Sequence, residues 1–148
     1  MMLALVPSLA AAEVQPPSTA PAVPGLRLPR DVVPLRYEPR LTIDPALDAF
    51  GATIDIVVRV ERATDVVWLN ATNLTLREAK AVIGGAQPED VPGVRITGSD
   101  DVLGIRFDKP LPAGEARLVL GYTAAIDSVG AVGVFRQREG DRWYVVTQ

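Results

Sequence analysis

The segment from Phe50 to Arg62 alternates between apolar and polar side chains, interrupted only at Val57. The apolar positions of one face are Ile54, Ile56, Val58 and Val60. Successive side chains of a β-strand point to opposite faces of its sheet, whereas a helix repeats every 3.6 residues. The segment therefore predicts a long antiparallel strand with one face buried and one face solvated.

Similar extended segments recur along the chain, separated by turns rich in glycine, proline or aspartate. They cover residues 37–43, 65–70, 74–83, 94–97, 102–107, 115–126, 132–136 and 142–147. Residues 98–101 are typical of a hairpin turn, and residues 88–93 are predicted to form a loop. No window has the apolar spacing of an amphipathic helix. About eight short strands in series predict an all-β, single antiparallel domain, either a sandwich or a saddle-like curved sheet.

The first 34 residues differ in composition from the rest of the chain. Residues 1–12 form an apolar run that ends in alanines, which indicates a signal peptide or a leader remnant, although no Lys or Arg precedes it. Residues 13–27 are rich in proline and alanine and predict a linker, so the domain proper spans 28–148. We expect export to the periplasm or the cell exterior; a disordered, alanine-rich N-terminus is the alternative. The apolar run is too short for a membrane span.

Composition excludes several kinds of chemistry. The 148 residues include no His and no Cys, so the chain can form neither a Ser-His-Asp triad nor an ordinary zinc site. A net charge of −3, without a basic run, argues against nucleic-acid binding. We therefore expect no catalytic residue, no metal ligand and no cofactor in this chain.

Asp100 and Asp101 are adjacent carboxylates and the first candidates for acid–base chemistry. Neighbouring strand residues point to opposite faces, so the two carboxylates are badly placed to act as a pair. A structural role in the turn is the favoured interpretation.

The order of the segments carries more information than any local motif. Residues 28–37 match an L-P-x-x-V-x-P-x-x-Y pattern, and residues 107–114 match F-x-x-x-L-x-x-G. A loose F-x-G segment lies at Phe50 and Gly51, a G-x-F-R segment at residues 133–136 and a final T-Q at residues 147–148. In this order the segments resemble the N-terminal β-domain of the aminopeptidase N family of zinc metallopeptidases.

The resemblance implies that the β-domain and the catalytic domain have different roles. In that family a saddle-like β-domain packs on a catalytic domain that holds zinc through an H-E-x-x-H motif, and this motif is absent here. The family's glutamine in the T/S-Q stretch lies near the α-amino group of the peptide substrate, which implies that Gln148 is a substrate-binding residue; a frayed terminal residue without this role is the alternative. The implied partners are the catalytic domain of the same polypeptide and the substrate N-terminus, and zinc is expected in the catalytic domain.

Two other hypotheses remain open. The chain could be a stand-alone secreted β-sandwich that binds a ligand without enzymatic activity. It could also be a degenerate relative that uses the β-domain for association only. A domain that normally docks on a catalytic domain should expose an apolar patch when alone, which predicts self-association of the isolated chain.

Overall fold

A computed structural model of the chain describes residues 21–130 and 133–148. These ranges contain nine strands: β1 (Val32–Thr42), β2 (Ala49–Val60), β3 (Thr64–Asn70), β4 (Leu74–Ile83), β5 (Glu89–Ser99), β6 (Val102–Leu111), β7 (Gly114–Ala125), β8 (Val134–Glu139) and β9 (Arg142–Thr147). No helix that could cross a membrane occurs in the same ranges. The prediction of an all-β antiparallel domain is confirmed.

Seven strands form one antiparallel sheet in the order β1-β2-β7-β4-β5-β6-β3. Its most regular pair is β2 with β7, which runs without a bulge from Ala49 opposite Ala125 to Val60 opposite Gly114. Bulges interrupt the neighbouring pairs, between Pro34 and Arg36 in β1 and between Leu76 and Glu78 in β4. Such bulges bend strands and increase their twist, which helps the sheet to curl.

Strand β5 joins the two halves of the curled sheet. Its first residues, through Pro92, pair with β4, whereas residues from Gly93 onward pair with β6. The predicted loop at residues 88–93 is therefore wrong, because β5 begins at Glu89. The proline and glycine that suggested a loop instead mark the corner where the strand passes from one half to the other.

The main core lies between these two halves. Strands β2, β4 and β7 and the first part of β5 contribute from one side, and β3 and β6 from the other. Its buried residues are Ile56, Val58, Val60, Val67, Ala79, Ala81, Val91, Leu103, Ile105, Phe107, Leu111, Ala116, Leu118 and Leu120. The predicted buried face of β2 is thus confirmed from Ile56 to Val60, with Ile54 partly buried against the cluster. No polar or charged residue is buried in the part of the chain that the structure describes.

The outer face of the sheet carries ion pairs between strands. The carboxylate of Asp55 in β2 lies 3.4 Å from Arg117 in β7 and 3.9 Å from Arg40 in β1. Lys80 in β4 lies 2.7 Å from Asp90 in β5. This face has the charged character that the polar positions of the alternating segments predict.

The structure describes only part of the N-terminal region for which predictions were made. The predicted leader at residues 1–12 and the start of the predicted linker lie outside the described residues. Residues 21–31 contain no strand, and β1 begins at Val32, earlier than the predicted start at residue 37.

Candidate functional site

The hairpin of β8 and β9 carries the predicted site residue and lies outside the seven-stranded sheet. Its two strands pair from Val134 opposite Thr147 to Glu139 opposite Arg142. The turn between them has Gly140 at a φ of 61°, a conformation that glycine adopts without a steric penalty.

Asp127, just after β7, connects the hairpin to the sheet through its backbone. Its N–H donates to the carbonyl of Val134 at 3.0 Å, and its carbonyl accepts from the N–H of Arg136 at 2.8 Å. Between these two residues, Phe135 is buried, with 5% of its surface exposed. Val134 packs against a second apolar cluster formed by Phe50, Ala52 and Ile126.

The side chain of Asp127 shapes the segment that leads to the hairpin. Its carboxylate accepts the N–H groups of Val129 at 2.8 Å and Gly130 at 2.9 Å. The hydrogen bond from Gly130, followed by that from Val129, holds the pKa of the Asp127 carboxyl below its ordinary value.

The guanidinium of Arg136 reaches from β8 to the turn that precedes β2. Its Nη2 donates to the carboxylate of Asp48 at 2.6 Å, and its Nη1 donates to the carbonyls of Leu47 at 3.0 Å and Pro45 at 3.4 Å. The guanidinium of Arg136 also lies over the ring of Trp143, with its Cζ 4.8 Å from the ring centroid. The contact is a cation–π interaction that also joins β8 to β9.

Gln148 extends the ladder of the hairpin by one residue beyond β9. Its N–H donates to the carbonyl of Gly133 at 2.9 Å, and its carbonyl accepts from the N–H of Gly133 at 3.2 Å. The residue is exposed to solvent. Its backbone is therefore held by strand pairing while its carboxamide is accessible.

The described residues do not fit a metal ion. Within residues 21–130 and 133–148 no three His, Cys, Asp or Glu side chains come together as ligands, and the sequence has no His or Cys.

Asp101 stabilises the turn after β5: its carboxylate accepts the hydroxyl of Thr72 at 3.1 Å, and its carbonyl accepts the N–H of Ala71.

An apolar cavity of about 640 Å³ is lined by residues of β1, β2, β3, β4, β6 and β7 and of the segment that precedes β1. Leucine, valine and isoleucine side chains dominate its lining, with Trp68, Tyr37 and Tyr122 among the aromatic residues. Arg30 and Asn70 are its polar lining residues. The volume is within the range of small-molecule pockets.

Comparison with known proteins identifies the family. The model of the peptidase M1 N-terminal domain matches residues 33–148. The chain belongs to this family. It is 33% identical to aminopeptidase M1-C of rice (Oryza sativa subsp. japonica) over 101 residues and 34% identical to rice aminopeptidase M1-A over 104 residues. Aminopeptidase M1 of Arabidopsis thaliana is 29% identical over 104 residues.

These alignments cover 68% of the chain but only 11–12% of each relative. The chain thus spans a small fraction of the length of the aminopeptidases that it matches. The proposed resemblance to the N-terminal β-domain of the aminopeptidase N family is confirmed.

The structure gives physical roles to the residues that carried the resemblance. Phe107 and Leu111 are buried in the main core. Gly114 and Gly133 adopt positive φ angles of 125° and 74°, which other residues rarely do. Arg136, the last residue of the G-x-F-R segment, anchors the hairpin, a role that the sequence signalled only through that match.

Proposed function

We propose that this chain is the N-terminal β-domain of an exported zinc aminopeptidase, and that it packs on a catalytic domain of the same polypeptide. Membership of the peptidase M1 N-terminal domain family supports the assignment to an aminopeptidase, and the apolar run at residues 1–12 is the basis for export. The chain aligns with only 11–12% of the length of its relatives, which supports packing on a further domain of the same polypeptide. In this proposal the zinc ion supplies the hydrolytic chemistry from the catalytic domain.

The chain's own contribution is recognition of the substrate N-terminus by Gln148. The family match runs through this residue, and its backbone is held by two hydrogen bonds to Gly133. This anchored, accessible position is the observation that carries the proposal. A carboxamide oxygen is a hydrogen-bond acceptor, which suits the ammonium group of a peptide N-terminus.

The size and activity of the native polypeptide test this proposal. Antibodies raised against the purified chain would detect the native protein on a blot of the source cells. We expect a band far above the 15.8 kDa of this chain. The protein captured with these antibodies should release amino acids from peptides with an unblocked N-terminus, and a zinc chelator should abolish this activity.

The stand-alone binding module predicts different results. Its band would run near 15.8 kDa and the captured protein would hydrolyse no peptide, in which case the apolar cavity becomes the place to look for a ligand. Fractionation of the same cells tests export. Recovery of the native protein in the cytoplasm would contradict that part of the proposal.

A further inference from the structure

The hairpin of β8 and β9 depends on a few contacts for its position. A two-stranded hairpin is marginally stable by itself in water. The hairpin is held to the rest of the chain by the backbone hydrogen bonds of Asp127 and by the packing of Val134 and the buried Phe135. Among the described residues, the guanidinium of Arg136 adds a side-chain hydrogen bond from the hairpin to Asp48. The side chain of Arg136 is only 14% exposed.

The turn that holds the acceptors of Arg136 has hydrogen bonds of its own. The carboxylate of Asp44 accepts the N–H of Ala46 at 2.9 Å, and its carbonyl accepts the N–H of Leu47 at 3.0 Å. These bonds shape the turn that presents the carbonyls of Pro45 and Leu47. The carbonyl of Asp48 also accepts the N–H of Ile126 at 2.8 Å, which ties the turn to the end of β7.

The chemistry of the contact requires arginine. One guanidinium reaches two carbonyls and one carboxylate at once because its donors form a planar, rigid fork. A lysine ammonium carries the same charge but cannot reproduce this fork. The Nε of Arg136 is buried and has no hydrogen-bond partner among the residues that the structure describes. A buried donor without a partner raises the free energy of the folded state. The hydrogen bonds of Nη1 and Nη2 offset this cost.

We propose that Arg136 is a positioning residue: by clamping β8 to the turn at residues 44–48, it sets where Gln148 lies relative to the main sheet. Arg136 pairs with Val145, and Gly133 pairs with Gln148 three residues along the same ladder. At about 3.3 Å per residue the clamp and Gln148 are roughly 10 Å apart along a short, stiff ladder. The effect of this placement on substrate binding rests on the proposed function. The clamp, which is the contact of Arg136 with residues 44–48, does not rest on it.

Hydrogen exchange in the present chain tests the clamp. We compare Arg136→Lys and Asp48→Ala with Arg138→Lys, which makes the same chemical change at an exposed position of β8. The Asp48 side chain is 90% exposed, so its replacement should leave the fold intact. Because hydrogen bonds to charged groups are typically worth a tenfold change or more in an equilibrium, the amides of Asp127 and Gln148 should exchange about tenfold faster in both clamp variants.

Amides of β7 should be unchanged in all three variants, and the Arg138→Lys variant should match the wild type throughout. Equal exchange at Asp127 and Gln148 in the wild type and both clamp variants would overturn the clamp. Faster exchange across β7 as well would also overturn it, because it would show a general loss of stability instead of a released hairpin.

A double-mutant cycle in the native polypeptide tests the positioning of Gln148. Arg136→Lys should raise KM for a peptide with an unblocked N-terminus and leave kcat unchanged. In a Gln148→Met background the same substitution should have no further effect, because the group that it positions is gone. Independent, multiplicative effects on KM would reject positioning. If the native polypeptide has no peptidase activity, the proposed function fails while the exchange experiment still decides the clamp.

Discussion

Glycine at position 104 is required by close packing and not by backbone conformation. A Cβ atom there would lie 2.5 Å from Cζ3 of Trp68 and 2.7 Å from Cγ1 of Ile96. Gly104 is buried in β6, whereas Trp68 and Ile96 are partly buried, so an added Cβ atom would force one of these larger side chains to shift. The packing of Trp68 against the sheet thus depends on the absence of a side chain at this position.

Gly104→Ala should lower the free energy of unfolding by about 1–3 kcal/mol, the usual cost of overpacking a core. Gly51→Ala is the matched control, because a Cβ atom at Gly51 in β2 would meet nothing within 4 Å. We expect the control to change stability by less than about 0.5 kcal/mol. Urea denaturation measures both, and equal effects would show that the contact with Trp68 does not constrain position 104.

Asp127 makes stability depend on pH in a definite direction. Hydrogen bonds from Gly130 and Val129 lower its pKa in the folded state. A carboxyl with a lowered folded pKa stabilises the protein above its unfolded pKa, about 3.9, and this stabilisation is lost as the pH falls through the folded pKa. Asp127→Ala should therefore destabilise the chain at neutral pH, and the difference from wild type should vanish in acid.

Urea denaturation at a series of pH values measures this difference. Asp141→Ala removes a fully exposed carboxylate from the hairpin turn and serves as the control. A difference between Asp127→Ala and wild type that stayed constant from neutral pH into strong acid would contradict the role given to the carboxylate.

At the scale of elements, β9 combines an open edge with exposed apolar side chains. In the part of the chain that the structure describes, β9 pairs with β8 alone. Trp143, Tyr144 and Val146 are each more than 40% exposed. Strands of this kind readily pair with a second strand, whereas β1, the outer strand next to β2, contains Pro34 and Pro39, which lack N–H donors.

We therefore expect the isolated chain to self-associate through β9 as its concentration rises. Val146→Lys should weaken this association, since a lysine on an edge strand opposes pairing. Val94→Lys is the control, because Val94 is 58% exposed but lies on β5, where it pairs with Arg106 of β6 in a different sheet from β9. Sedimentation analysis measures the dimer fraction, and a chain that stays monomeric at all concentrations would contradict the expectation.

Sequence patterns predicted the strands best where one face is buried and the other solvated. The strand β4 was predicted with its observed bounds, 74–83, and the buried face of β2 follows from its alternation. The patterns failed at β5, because Pro92 and Gly93 serve a corner within a strand and composition alone cannot distinguish a corner from a loop. The same limit applies to β1, which continues through Pro34 by way of a bulge.

The candidate site was less predictable than the fold. Gln148 followed from the resemblance alone, and no local pattern indicates that its backbone pairs with Gly133. The clamp of Arg136 joins residues that are 88 or more positions apart in the chain. Contacts of that kind arise from the folding of the whole sheet, so no local pattern contains them.

At the scale of the whole molecule, the described residues form a seven-stranded sheet and a terminal two-stranded hairpin. The curled sheet buries an apolar core, and among the described residues no polar or charged residue is buried. The hairpin carries the accessible Gln148 and is attached through Asp127 and Arg136. In the proposed enzyme the sheet supports the hairpin, and the hairpin meets the substrate.

The KM of the native polypeptide for a peptide with an unblocked N-terminus, compared between wild type and Gln148→Met, tests this account most directly. A hydrogen bond to a charged group typically contributes about 1.5–3 kcal/mol, so we predict that KM rises about tenfold to a hundredfold with kcat unchanged. Gln137→Met, the same change at an exposed position of β8, should leave KM unaltered. A Gln148→Met variant with the KM of the wild type would contradict the account.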